Sequence, residues 1–231
     1  MTATRAHHFR LIDIESHPRV GYRAKDFDEQ EGFKFSLARA TPPEGVIVEV
    51  GAYLHWGSGR ARDIAIDVSC MSGCTEGCHF CAAAQLARRP QLLTAEQMVE
   101  QVRIALEHIK AARAEFLEAL GPRPLITVSY AGMGEPTRNE AAVKRSMELL
   151  YADYRKIYEL QFIVSTIAAR PPRIAAFADL VPPLQSLQIS LHGVNPGTRQ
   201  ALLETRVPVA EILGAIDAFA ADSPTTEIKI N

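Results

Sequence analysis

Apolar residues recur along this chain with two different periods, and the change between them marks out its elements. Residues 46–54 (VIVEVGAYL) and 63–69 (DIAIDVS) alternate or run β-branched, as half-buried strands do. The turn-like stretch HWGSGRA between them predicts a hairpin. Residues 33–38 read as a further strand. Past residue 90 the period lengthens. Met98, Val102, Leu106 and Ile109 share one face of a helix over 94–112, and Thr94 with Gln97 makes a capping box at its start. Strands at 125–130, 161–165, 186–190 and 225–230 then alternate with helical segments near 139–151, 172–178, 197–203 and 209–221. With 63–69, that is five strands alternating with helices, the spacing of a parallel sheet in an α/β fold. Residues 1–32 show weak periodicity and read as irregular. The expected organisation is an N-terminal arm, 1–45, followed by an α/β core, 46–231.

Composition narrows the class without naming it. The chain has 231 residues, 47% hydrophobic and 23% charged, enough for one domain with a core and unlike a disordered segment. A net charge of −2 lacks the basic excess of a dedicated nucleic-acid binder. Residues 1–16 contain no apolar run of the signal-peptide kind, and no stretch approaches the roughly 18 apolar residues of a membrane span. No membrane association is expected.

The cysteines carry the first chemical signal. All four, Cys70, Cys74, Cys78 and Cys81, fall within twelve positions. A disulfide framework would spread them along the chain. Clustering points to a metal site in a reducing compartment, hence to a cytoplasmic protein. Cys74, Cys78 and Cys81 form a CxxxCxxC loop that begins just after a predicted strand. Three thiolates on a [4Fe–4S] cluster leave one iron open to a small molecule. The same spacing suits zinc, with His79 or Cys70 as a fourth ligand. Cys70, at the end of the preceding strand, reads as a small buried hydrophobe or as a redox group.

Further motifs follow the later strands, where ligands sit in parallel α/β folds. They are Gly132-Met133-Gly134-Glu135-Pro136, then Ser165-Thr166, then Ser190-Leu191-His192 with Asn195 and Arg199 beyond. Each is weak alone: glycine turns are common and a serine at a strand end is usually a turn residue. In this order and spacing, however, GCxxxCxFC, GMGEP, VST and SLH resemble the radical SAM methyltransferases of the RlmN/Cfr family, which methylate adenine in 23S ribosomal RNA. The resemblance covers about residues 46–230. It implies a partial (β/α)6 radical SAM barrel with a short N-terminal β extension. It implies that Cys74, Cys78 and Cys81 hold a [4Fe–4S] cluster and that S-adenosylmethionine (SAM) is the second cofactor. Gly134 and Glu135 would contact the methionine part of SAM, and Ser165 with Ser190, Leu191 and His192 would line the rest of its pocket. A reductant such as flavodoxin or ferredoxin would supply the electron, and RNA is the implied substrate.

This sequence departs from the family pattern. The family reads roughly VSSQVGC where this chain has VSCMSGC. Only about 45 residues precede the first core strand, and the chain reaches residue 231 at what reads as the fifth barrel strand. The family's sixth strand, a SAM-contacting asparagine and a methyl-carrying C-terminal cysteine have no counterpart in these residues. These departures favour a second reading, hydrogen abstraction from a small molecule or peptide without methyl transfer. A third is a non-catalytic metal-binding protein. The family's general base, a glutamate before the cluster loop, has its nearest match in Glu49, which reads equally as a solvated strand residue.

Overall fold

The computed structural model describes residues 8–21, 27–40, 46–86 and 89–231. Eight strands form one sheet in chain order: β1 (Phe9–Gly21), β2 (Glu29–Arg39), β3 (Ile47–Gly57), β4 (Arg60–Asp67), β5 (Leu125–Tyr130), β6 (Glu159–Thr166), β7 (Ser186–Ile189) and β8 (Glu227–Ile230). Strands β1 to β4 are antiparallel neighbours, and β4 to β8 are parallel. The expected hairpin joins β3 to β4 through Ser58 and Gly59, both with positive φ (52° and 74°). That is the two-residue turn whose twist matches the flanking strands.

The crossovers are helical: α1 (Ala82–Leu86), α2 (Ala95–Ala112), α3 (Ala114–Ala119), α4 (Glu140–Tyr154), α5 (Pro196–Leu203) and α6 (Val209–Asp222). The segment expected as a helix near 172–178 is a 3₁₀ helix, Pro171–Phe177. Its two leading prolines have no N–H to donate. The capping box of α2 forms as expected, with Thr94 and Gln97 bonded reciprocally. Met98, Val102, Leu106 and Ile109 are all buried.

Parallel strands laid down in sequential order keep their right-handed crossovers on one face. Ile64, Ile66, Ile126, Val128, Phe162, Val164, Leu187 and Ile189 on that face are buried in the core. The alternate positions, including Asp67, Ser129, Gln161, Ser165 and Gln188, are only partly buried. This α/β arrangement, a parallel sheet with helices on one side and a polar opposite face, is the geometry of a partial barrel.

The N-terminal region differs from its expectation as an irregular arm. Its residues 1–7 and 22–26 lie outside the described residues, but 9–21 form β1, and β2 begins at Glu29. Nearly every residue of β1 is exposed. A strand with no buried face carries no period-two apolar signal. It is held by backbone pairing to β2 and by charge pairs such as Lys34 Nζ to Glu15 Oε2 at 2.9 Å. The strand expected at 33–38 lies within β2, where Phe33, Phe35 and Leu37 enter the core.

A buried polar clamp fixes the exit of β4. Gln101 of α2 accepts from Ser69 N and donates to Ser69 O, each at 2.9 Å. Asn139, just before α4, donates from Nδ2 to Cys70 O at 2.9 Å and to Leu93 O at 2.8 Å. Replacing Asn139 by Ala takes the side-chain donor from Leu93 O and one of the two donors from Cys70 O, which keeps Leu93 N, so urea denaturation is expected to show a loss of about 1–3 kcal/mol. Stability within about 0.5 kcal/mol of wild type would contradict this anchoring role.

Candidate active site

The loops leaving β4 and β5 are zipped together by backbone. Gly132 N donates to Val68 O at 3.2 Å, and Cys70 N and Met71 N both donate to Met133 O, at 2.9 and 3.1 Å. Ser69 Oγ adds a side-chain link, donating to Glu49 O at 2.6 Å and accepting from Met133 N at 2.9 Å. This closeness explains the glycines. A Cβ on Gly132 would lie 2.8 Å from the Val68 carbonyl carbon. One on Gly134, whose φ is +106°, would lie 2.8 Å from Met71 N. Both spaces are closed to any side chain.

A cavity of about 300 Å³ opens where these loops meet the ends of β6 and β7. Cys74, Cys78 and Cys81 line it together with Gly134, Glu135, Ser165, Ser190 and His192. Residues far apart in sequence, proposed on separate motifs, are thus brought to one pocket. Two expected residues stand outside its lining. Leu191 turns into the core, its N–H donating to Asn231 O at 2.8 Å. Glu49 sits on β3 with a side chain 42% exposed, 3.8 Å from Lys34 Nζ. Glu76 and Ile167 also line the pocket, though the motifs did not single them out, and so does Thr166. Only Thr166 had a visible signal, as the second residue of the Ser-Thr pair.

The cysteine loop is held by its own turns, Cys74 N to Ala83 O and Cys81 N to Cys78 O, both at 3.0 Å. All three thiols are free of disulfides. Burial pushes Cys74 up to about 12 and Cys78 to about 11, with the nearby carboxylates of Glu76 and Glu135 adding to the rise. Thiols so raised stay protonated unless a metal displaces the proton. Three thiols spread around a pocket suit an iron–sulfur cluster, in which each thiolate binds its own iron.

Phe80 is 58% exposed and meets the His192 ring edge-on, centroids 4.9 Å apart. It forms part of the pocket wall. On its far side the loop rests on the C-terminal end of α5. His79 N donates to Leu202 O at 3.0 Å, and His79 Nε2 lies 2.7 Å from Glu204 Oε1. Those contacts account for His79 without a role as a metal ligand.

Glu135 is the most heavily bonded group of the site. It is 3% exposed. Its Oε1 accepts from Thr137 N at 3.0 Å, from Thr137 Oγ1 at 2.6 Å and from Thr166 Oγ1, while Oε2 accepts from Ile167 N at 3.1 Å. Burial raises its pKa above the ordinary carboxylate value, against the pull of those donors. The carboxyl therefore pins the GMGEP loop to the end of β6. Its Oε2, with one donor, keeps accepting capacity toward a ligand.

Comparison with known proteins bears on this pocket directly. The family model described as Radical SAM superfamily matches residues 68–228, from the end of β4 into β8. The chain belongs to the radical SAM superfamily. Membership implies a [4Fe–4S] cluster and SAM as cofactors, and the free thiols lining the pocket fit that donor chemistry. The chain is also similar to proteins named dual-specificity RNA methyltransferase RlmN. Identity is 33% over 156 residues with the Anaeromyxobacter sp. (strain Fw109-5) protein, covering 66% of this chain and 39% of that relative. It is 30% over 163 residues with the Phenylobacterium zucineum protein, covering 70% and 40%. It is 30% over 194 residues with the Caulobacter vibrioides (strain NA1000 / CB15N) protein, covering 82% and 44%. The chain thus spans about two-fifths of the length of these curated relatives. Among the described residues of this radical SAM chain, no helix is long and apolar enough to cross a membrane.

Proposed function

We propose that residues 46–231 form the SAM-cleaving core of an RlmN-like radical SAM enzyme. One observation carries the reading: the three cysteine thiols and the glycine, serine and histidine motifs of four separate strand ends line a single pocket. In this reading Cys74, Cys78 and Cys81 would hold the cluster, which when bound would supply the electron for reductive cleavage of SAM. The backbone at Gly134 lets the ligand approach closely. Glu135 Oε2 accepts from its ammonium group. Ser165, Ser190 and His192 line the adenosyl side, and Phe80 with His192 shields the pocket mouth. A flavodoxin- or ferredoxin-type protein delivers the electron, and RNA, as named for the relatives, is the substrate.

Cys70 favours a boundary on this function. Methyl transfer by the cysteine route needs a thiolate outside the cluster that reaches both SAM and substrate. The only other cysteine in the sequence is Cys70. It is 2% exposed, and burial holds its thiol well above the ordinary value. Methyl transfer by that route therefore requires a thiol from outside these 231 residues. Incubation of this chain with methyl-labelled SAM, reductant and a 23S RNA fragment is expected to give 5′-deoxyadenosine without methyl-cysteine or labelled adenine. A methylated Cys70 peptide would overturn the assignment of Cys70 as inert.

A further inference from the structure

One ion pair at this pocket belongs to no motif. Glu76 lies between Cys74 and Cys78, its side chain only 7% exposed, and it lines the pocket. Arg138 grips it with two prongs, Nε to Oε1 at 2.6 Å and Nη2 to Oε2 at 3.2 Å. Arg138 ends the 3₁₀ turn Pro136–Arg138, which begins immediately after Glu135. The turn therefore follows the carboxyl pinned to β6 and supplies the guanidinium that braces the cysteine loop. Fork-to-fork pairs of this kind fix geometry as well as charge.

The charge matters because of the company it keeps. Cluster assembly gathers thiolates here, and SAM brings a carboxylate of its own. A lone buried carboxylate at Glu76 would add like-charge repulsion to all of them. We propose that Arg138 and Glu76 are positioning residues that form a charge-compensated brace, holding the cysteine loop against the SAM loop and setting the electrostatic potential at the cluster and at the carboxylate of SAM. Removing Arg138 leaves uncompensated negative charge, which disfavours both an added electron and an anionic ligand. Removing the charge of Glu76 does the reverse.

The inference rests on the reading of Cys74, Cys78 and Cys81 as cluster ligands, and the experiment separates the two. Wild type, Arg138→Gln, Glu76→Gln and the double variant are reconstituted anaerobically with iron and sulfide. Iron content, midpoint potential by EPR-monitored titration and SAM affinity by calorimetry are measured. With a four-iron cluster in the wild type, Arg138→Gln is expected to move the potential more negative and to weaken SAM binding about tenfold. Glu76→Gln should move the potential more positive, and the double variant should return toward wild type in both measurements. Should Arg138→Gln fail to retain iron, recovery of iron in the double variant supports charge compensation, and its loss there overturns it. Unchanged potentials, or single variants that shift the same way, overturn the brace while leaving the cluster reading intact. A wild type that assembles no iron–sulfur cluster overturns both.

Discussion

Replacing any one of Cys74, Cys78 or Cys81 by Ala is expected to bring iron from about four per chain to near zero, whereas Cys70→Ala keeps it. The three loop thiols face one cavity. Their loop is closed by local hydrogen bonds and held against α5 and the GMGEP turn, so its shape does not depend on any single thiol. Each thiolate would bind a different iron, and none of the others can substitute for it. Cys70 contributes backbone contacts: its N–H bonds to Met133 O, and its carbonyl accepts from Leu93 N and Asn139 Nδ2. Alanine preserves all of these. Anaerobic reconstitution with iron and sulfide analysis checks the series. Full iron in a Cys78→Ala protein, or its loss in Cys70→Ala, would show the ligand set to be wrong.

The second large effect is expected at Glu135. Its carboxylate collects four donors from two loops while almost wholly buried. Glu135→Ala leaves the Thr137 and Ile167 amides and two hydroxyls without their acceptor. Unpaired buried donors of this kind cost about 1–3 kcal/mol each, partly recovered by relaxation. A net loss of about 3–5 kcal/mol is expected in chemical denaturation. SAM affinity should fall more than tenfold as well, because the GMGEP loop loses its tie to β6 and the ligand loses an acceptor. Glu135→Gln retains one carbonyl oxygen and is expected to fall between. Calorimetry separates the two roles. A destabilised protein that binds SAM unchanged would make Glu135 a structural pin only.

What the sequence reveals here follows from how far apart the interacting residues are. The capping box of α2 spans four residues, and the β3–β4 turn spans two, so both are legible directly. The alternation of β5 and β6 is visible because one face of each is buried. Strand β1 is hidden because it buries almost nothing. The cysteine triad and the GMGEP, Ser-Thr and Ser-Leu-His motifs place the pocket because parallel α/β folds gather strand ends. Which side chains then face it is not legible in the same way. Leu191 sits inside its motif yet points into the core, since alternation continues past the end of β7. Glu135 reads as a free acceptor, although its donors come partly from Thr166 and Ile167, some thirty residues away. The pairing of Glu76 with Arg138, 62 positions apart, has no local signature at all.

The claim on which the account turns is that this pocket cleaves SAM. Anaerobically reconstituted wild type and Cys78→Ala, each given SAM and dithionite, are compared for 5′-deoxyadenosine by liquid chromatography and mass spectrometry. The account predicts 5′-deoxyadenosine from the wild type and none above background from Cys78→Ala. A wild-type protein with a complete four-iron cluster and bound SAM that forms no 5′-deoxyadenosine would contradict it.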